Sequence, residues 1–339
     1  MAEKSKKPIA GSIEELKLLR GEAKKELAKE YDMIVIGAGC AGYSAAIYAA
    51  RFNLSVLVIG KLRGGLITTT HLVENYPPLG SVSGPDMMDM FYEHIRMFEI
   101  PVLEDEVTDV NGKGVCWKVA TKRHGEFVGK TVVFATGTEH KKLGVPGEKE
   151  LANKGVSYCA TCDAAFFKNK VVIMVGGSDS AAKEALLLSE HCKKVYIVYR
   201  GEAIRPEPVN GLLVEQRVKE GKIEIINKTN VVKINGEKVV ASVTFDKPYK
   251  GSNEFKTDGV FIEIGGIPQS GLAKKIGVAI NEKGEITIDR EARTNVEGIY
   301  AAGDVCDTRF KQAITGAAEG VFAAFSAYSY LGGKKIVCT

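Results

Sequence analysis

The sequence has no run approaching the ~18 consecutive apolar residues that a membrane-spanning helix requires, so no such helix is expected. Concentrated charge is missing as well. The net charge of +4 is spread along 339 residues, without the basic stripe that marks a nucleic-acid partner. There is no apolar leader ahead of the seven cysteines, which are odd in number and widely scattered. That pattern excludes the disulfide framework of a small secreted domain and points to a reducing, cytoplasmic setting. Only Cys159 and Cys162 lie close together. Glycine is the one residue in excess: 37 of 339 is about 11%, against a usual ~7%. Without a collagen period or a Gly/Ser linker, this excess indicates tight turns and close backbone approaches to ligands. With 45% hydrophobic residues the chain can bury a core, and its length suits about two domains.

Residues 1–30 form an appendage in which Ser12-Ile-Glu-Glu15 is a capping-box pattern and Ile13, Leu16, Ala23 and Leu27 recur at near-helical spacing. The body opens with a strand, Met33-Ile-Val-Ile36, then Gly37-Ala-Gly-Cys-Ala-Gly42, a helix over Tyr43–Arg51 and a strand over Leu54–Ile59. A second such unit follows: strand Lys170–Val175, Gly176-Gly-Ser-Asp-Ser-Ala181, helix Ala182–His191 and strand Lys194–Tyr199. Two βαβ units of this kind predict an α/β protein with two Rossmann-like three-layer nucleotide-binding domains. Strand-then-glycine segments at Thr131–Gly137 and Gly259–Gly265 bracket the second unit, so the second domain is inserted in the first. The expected boundaries are 31–140 with 264–339 for the split domain and 141–263 for the insert.

Gly37, Gly39 and Gly42, directly after a strand and opening a helix, form a dinucleotide fingerprint in its proper context. The following strand ends Val58-Ile-Gly60, with no acid to bind a ribose. Cys159-Ala-Thr-Cys162 is the chemical centre. Two thiols at this spacing near a helix start can form a disulfide and stabilise a thiolate. A half zinc site is the competing reading, but no second Cys/His pair lies at ligand spacing. An incidental structural pair is the other. Asp163 could move a proton as thiols form, or cap a helix; the two roles can coexist. His191 and Cys192, at the end of the second-unit helix, read as surface residues.

Taken in order, Gly64-Gly65, Val73-Glu-Asn-Tyr-Pro77, Ala135-Thr-Gly137, Cys159-Ala-Thr-Cys-Asp163, Ala302-Gly-Asp304 and Lys311-Gln-Ala-Ile314 resemble the low-molecular-weight thioredoxin reductases over about 31–332. The resemblance implies FAD held by the split domain. Gly37, Gly39 and Gly42 would meet the pyrophosphate; Gly64, Gly65, Thr68, Asn75, Thr136 and Gly137 would line the flavin side. Gly303 and Asp304 would reach the ribityl chain, with Gln312 and Ala313 closing over the isoalloxazine. It further implies that Cys162 is the flavin-facing thiol, that Cys159 attacks the disulfide of thioredoxin, that Asp163 serves as acid/base, and that the enzyme is a homodimer. Nicotinamide and disulfide, both on the insert, would alternate at the flavin by rotation near Gly137–Gly144 and Gly265–Pro268. Leu66 departs from the family's usual Gln, and Lys311 stands where many members have Arg.

The second glycine turn departs further. Gly176, Gly177 and Ser180 suit a pyrophosphate, but Ser178 occupies the place of the pattern's second glycine, where a side chain could add a hydrogen bond or displace the cofactor. The family's His-Arg-Arg-x-x-x-Arg element, which grips the adenosine 2′-phosphate, is reduced here to Arg200 and Arg205, with Tyr199 and Gly201 departing. NADPH is the expected donor; NADH, ferredoxin and reduced deazaflavin are the alternatives. A different small disulfide protein could replace thioredoxin as acceptor, and a non-enzymatic flavin or nucleotide sensor is the reading of another class. Cys40 reads as a small packed residue, Cys116, Cys306 and Cys338 have no partner nearby in sequence, and Ala317–Ala327 reads as a core helix.

Overall fold

Alternation along four strands explains both units. The computed structural model describes residues 27–332 and residue 338, so most of the appendage, including its expected helix start at Ser12, lies outside the described residues. The chain divides into two units. One holds the described residues through Thr68, Leu72–Thr138 and the described residues from Pro268 onward; the other holds Thr69–His71 and Glu139–Ile267.

The first unit contains β1 (Glu30–Ile36), β2 (Val56–Gly60), β3 (Val102–Glu104), β4 (Val107–Lys113), β5 (Cys116–Thr121), β6 (Gly125–Phe134) and, late in the chain, β17 (Ile299–Ala301). β1 lies parallel between β2 and β6, and β2 carries β3 outside it. β6 serves two neighbours along its length. Its first half pairs antiparallel with β5, which pairs with β4, while Val132–Phe134 run parallel to β17. Because side chains alternate across a strand, Met33, Val35, Val56 and Val58 bury on one face and Ile34, Ile36, Leu57 and Ile59 on the other. The first face packs on the helices Cys40–Arg51, Gly84–Met97 and Ala313–Leu331; the second on the β4–β5–β6 meander through Trp117, Val119 and Phe127. Ser83 caps Gly84–Met97 by accepting the Asp86 N–H at 3.1 Å. The core expected over Ala317–Ala327 is one face of its helix: Ala317, Gly320, Ala323, Ala324 and Ala327 are buried, whereas Phe322 and Phe325 are exposed. At Gly320 even a Cβ would stand 2.1 Å from the Ala41 carbonyl oxygen, so these two helices meet backbone to backbone.

Two cysteines that had no partner in sequence are joined here. Cys116, which opens β5, forms a disulfide with Cys338, 222 residues away, with Cα atoms 5.6 Å apart. No spacing in the sequence pointed to this pairing. Of the remaining thiols, Cys40, Cys192 and Cys306 are free and buried. Cys192 therefore corrects the surface reading: only His191 is exposed, and burial pushes the Cys192 thiol up to about 11.

The second unit is a three-layer insert. Its sheet joins β8 (Val156–Ser157), β9 (Val171–Val175), β10 (Lys194–Val198), β11 (Ile223–Ile226) and β15 (Gly259–Ile262) in the order β11-β10-β9-β15-β8, all parallel. Val172, Met174, Val195, Ile197 and Phe261 face the helices Ala160–Asp163 and Asp179–His191. Ile173, Val175, Val198, Val260 and Ile262 face an antiparallel sheet of β12 (Val231–Gly236), β13 (Val240–Tyr249) and β14 (Ser252–Lys256). The chain's two crossings, β7 (Thr138–His140) and β16 (Gly266–Pro268), run side by side as a two-stranded sheet. Gly137, Gly144 and Gly265 there have positive φ with open space around them, so glycine serves backbone conformation at these points.

Candidate active site

Two glycine turns and one cysteine turn carry the expected site residues. In the first unit, Gly37 has φ +125°, and a Cβ there would meet the Ala135 carbonyl oxygen at 2.0 Å. At Gly42 a Cβ would meet the Gly37 oxygen at 1.9 Å. These two glycines thus bring the β1 turn, the strand end after β6 and the Cys40–Arg51 helix together. Gly39 differs: its missing Cβ faces Gly64 and Gly65 at 3.8–3.9 Å, so only backbone lies within 4 Å of that point. Gly39 is also the N-cap, with no side-chain cap hydrogen bond and no acid in the first turn. The helix therefore presents unclaimed amides and a positive dipole end at a side-chain-free cradle, which fits a pyrophosphate. Cys40, inside this turn, is a packed residue as expected; burial pushes its thiol up to about 12, with the Asp304 charge adding to it, and its Sγ lies 3.3 Å from Met88 Sδ.

The distant flavin-side candidates converge on the same unit. Asn75 Nδ2 donates to Gln312 Oε1 at 3.0 Å across 237 residues of sequence. Gln312 opens the Ala313–Leu331 helix with a capping box completed by Thr315. Thr68 Oγ1 donates to the Gly65 carbonyl at 2.8 Å, and Thr136 Oγ1 to the Gln269 carbonyl at 2.7 Å, so both hydroxyls hold the backbone. Burial raises the Asp304 carboxyl above its ordinary range, with Lys311 opposing; such a group favours a hydrogen-bonding ligand. Lys311 reaches back to the Asp304 carbonyl at 2.7 Å and pairs with Glu285 at 2.9 Å. Glu319, which sequence reasoning passed over, accepts the Gly303 N–H at 2.7 Å and a hydrogen bond from Thr308. Its signal was absent, because a lone Glu in an alanine-rich helix looks like a solvated residue.

The second glycine turn is built differently. Gly176 approaches the Glu263 carbonyl so closely that a Cβ would stand 2.1 Å from it. Ser178 is exposed and is the N-cap of Asp179–His191; its Oγ accepts the Ala181 N–H at 3.3 Å. Of the two outcomes open at Ser178, the hydroxyl thus spends its acceptor on the helix. Asp179 adds a carboxylate to the first turn. Burial opposes its ionisation, but Asn210, the Glu207 amide and Lys183 hold it below the ordinary range. A negative charge at this helix start opposes an anion. Ser180 is exposed one residue on, and Arg200 and Arg205 are exposed beyond β10. The two departures after β10 are one arrangement. The Tyr199 ring lies where a Cβ at Gly177 or at Gly201 would fall, 2.4–2.5 Å from its carbons, and Arg205 sits 6.0 Å over the same ring.

Between β8 and β9 the chain makes the helical turn Ala160–Asp163. Cys159 is its N-cap: its Sγ accepts the Cys162 N–H at 3.1 Å and bonds covalently to Cys162 Sγ. Ser157 steadies the entry by accepting the Cys159 N–H at 3.1 Å. Cys162 is exposed and Cys159 half-buried, so the disulfide edge is open to a reductant or a protein partner. Asp163 stands at the N-cap position of the following short turn, Ala164–Phe167, but makes no side-chain cap hydrogen bond there; Cys159 caps the preceding turn, Ala160–Asp163. Among the described residues no three His, Cys, Asp or Glu side chains cluster as metal ligands.

The profile of the pyridine nucleotide-disulphide oxidoreductases matches residues 31–320. The chain is 40% identical over 307 residues to the thioredoxin reductase of Bacillus subtilis, covering 89% of this chain and 95% of that one. The structures of the thioredoxin reductases of Lactococcus lactis and T. acidophilum superpose with TM-scores of 0.84 and 0.83, at 34% and 37% identity. Each match covers 89% of this chain and 99% of the other.

Proposed function

This chain belongs to the pyridine nucleotide-disulphide oxidoreductase family, and from that premise we propose that it is a flavoprotein disulfide reductase passing electrons from NADPH through FAD and Cys159–Cys162 to thioredoxin. The observation that carries the reading is the Cys159–Cys162 disulfide, closed across one helical turn with an open edge. The uncapped Gly39 turn, Gly64 and Gly65, Asn75 with Gln312, and Asp304 would hold FAD, which when bound supplies a two-electron acceptor and donor. The chain's own residues then do the following. In the reduced pair, Cys159 attacks one sulfur of the substrate disulfide, and Asp163 gives the departing sulfur a proton. Cys162 then displaces the bound sulfur from Cys159, closing the pair again and releasing a dithiol protein. The same reading makes the protein a cytoplasmic homodimer; among the described residues no helix is long and apolar enough to cross a membrane.

The second turn bears on the donor. Arg200 and Arg205 are the groups available for a 2′-phosphate, and charge-assisted hydrogen bonds of this kind are worth about 1.5–3 kcal/mol each. Asp179 and the self-capped Ser178 favour a second reading, in which the turn binds pyridine nucleotide weakly and discriminates little between NADPH and NADH. Anaerobic addition of each nucleotide to the purified protein, followed by flavin absorbance, separates the two. Bleaching by NADPH alone supports the first reading and bleaching by both supports the second. Bleaching by dithionite but by neither nucleotide refutes both and leaves ferredoxin or a reduced deazaflavin to be tried. Turnover of thioredoxin that survives in Cys159→Ser overturns the dithiol chemistry.

A further inference from the structure

The Asp179–His191 helix turns a small apolar face toward the redox turn: Ala181, Ala185 and Leu188 are buried in one cluster with Ala160 and Ala164. Glu184 interrupts that face. Its carboxyl accepts the N–H of Ala160, the first amide of the turn that Cys159 and Cys162 close. Its Oε2 is sealed from solvent and has no hydrogen-bond partner. The charged groups around it are few. Glu263, just beyond β15, faces it and is itself paired with His140 at 3.4 Å, and Asp163 belongs to the redox turn. Burial first, and then the Glu263 charge, push the Glu184 carboxyl up to about 8. The sealed, unpartnered oxygen favours the neutral form, and ionisation is displaced toward the range of an ordinary thiol.

We propose that Glu184 is a positioning residue for the dithiol: it anchors the Ala160 amide and, by its own charge state, governs how readily the reduced Cys159–Cys162 pair gives up a proton. The inference rests on reading that pair as the redox centre. Two electrons open the disulfide to two sulfurs that take up as many as two protons. A neutral Glu184, held against the first amide of the turn, leaves a thiolate of that turn unopposed, whereas an ionised Glu184 opposes it as a like charge. Carboxylate and thiolate then compete for one proton, and thiolate formation spreads over a wider pH range than a single ionisation would.

The test uses the full-length, flavin-loaded protein, reduced with dithiothreitol, freed of it and treated with iodoacetamide from about pH 6 to about pH 10. Alkylation rates at Cys159 and Cys162 are read by peptide mass. Glu184→Gln keeps an acceptor oxygen for Ala160 and removes the charge. It should give a sharper profile with about three- to tenfold faster alkylation near pH 8.5, where wild-type Glu184 is charged. Glu184→Asp should restore a broad profile. A Glu184→Gln profile superimposable on wild type overturns the proposal. So does a change seen only in Glu184→Leu, which would reduce Glu184 to a hydrogen-bonding strut. Failure of dithiothreitol to open the pair at all would instead refute the redox reading on which the inference stands.

Discussion

Substituting Cys338 by serine opens the longest covalent ring in the molecule, and the cost can be worked from its size. The bond spans 222 residues. In the chain-entropy account a loop that long, once cut, returns enough freedom to the unfolded chain to destabilise the fold by about 5 kcal/mol at 25 °C. The dependence on loop length is logarithmic. If the inserted unit stayed folded while the first unit opened, the effective loop would shorten, yet the figure would fall by less than about 1 kcal/mol. At roughly 2–4 °C per kcal/mol for a unit of this size, Cys338→Ser should melt about 10 °C or more below the oxidised wild type. The single tryptophan, Trp117, is buried beside Cys116 in the first unit, so its fluorescence reports this transition directly. Thiol counting in denaturant supplies the control. The oxidised wild type should show three thiols, Cys40, Cys192 and Cys306, and the variant a fourth, Cys116. Equal melting of variant and wild type, with three thiols counted in the latter, would refute the entropic reasoning; five thiols in the wild type would refute the bond.

Gly37→Ala should purify with little or no flavin, because its Cβ would stand 2.0 Å from the Ala135 oxygen at a φ that L-residues avoid; the ratio of visible to ultraviolet absorbance measures the loss. Asp179→Asn keeps an acceptor for the Glu207 amide while removing the charge at the helix start. It should lower the KM for NADPH about two- to fivefold with kcat unchanged, as expected for ~0.3–1 kcal/mol of helix-end electrostatics. Glu148 supplies a pH test. Burial raises its pKa, but hydrogen bonds from the Tyr158 hydroxyl and the Leu143 and Gly144 amides outweigh that and hold it below the usual carboxylate value. A group depressed on folding contributes stability above its unfolded pKa and loses it as pH falls through the folded one. Glu148→Gln should therefore lower the unfolding free energy read from urea titration by about 1–3 kcal/mol at pH 7, and by much less at pH 3.

What was legible in the sequence was local. Glycine turns announce themselves because a backbone contact at Gly37 or Gly42 tolerates no other residue, and Cys159-Ala-Thr-Cys162 because a four-residue turn fixes both thiols. Strand interiors were legible from unbroken apolar runs, since both faces of β1, β2 and β9 are buried. The first helix starts at Cys40, ahead of the expected Tyr43, because Gly42, the last glycine of the turn, is already helical and packs on Gly37. The rest depended on partners far along the chain. Cys116 and Cys338 meet only after β5 and the C-terminal residues are placed, and Cys192 is buried by neighbours from other strands. Glu184 and Glu319 carried no sign of their burial, because what encloses each comes from elements that sequence spacing does not relate. Asp163 does stand at an N-cap position, that of Ala164–Phe167, but without a side-chain hydrogen bond, whereas Cys159 caps the preceding turn through its sulfur.

The Tyr199 ring couples the residues of the second turn to one another. It occupies the space beside Gly177 and Gly201 and lies beneath Arg205. Placing an arginine at position 201 alone would drive its Cβ into the ring. Replacing Tyr199 alone would strip Arg205 of its platform and open a gap over the glycines. Neither single step improves the grip on a 2′-phosphate, although both together could. The path between this turn and the usual one therefore crosses a valley, and a mutational search taking one residue at a time would be held on this side of it. A library varying positions 199 and 201 jointly would reach combinations that stepwise selection passes by.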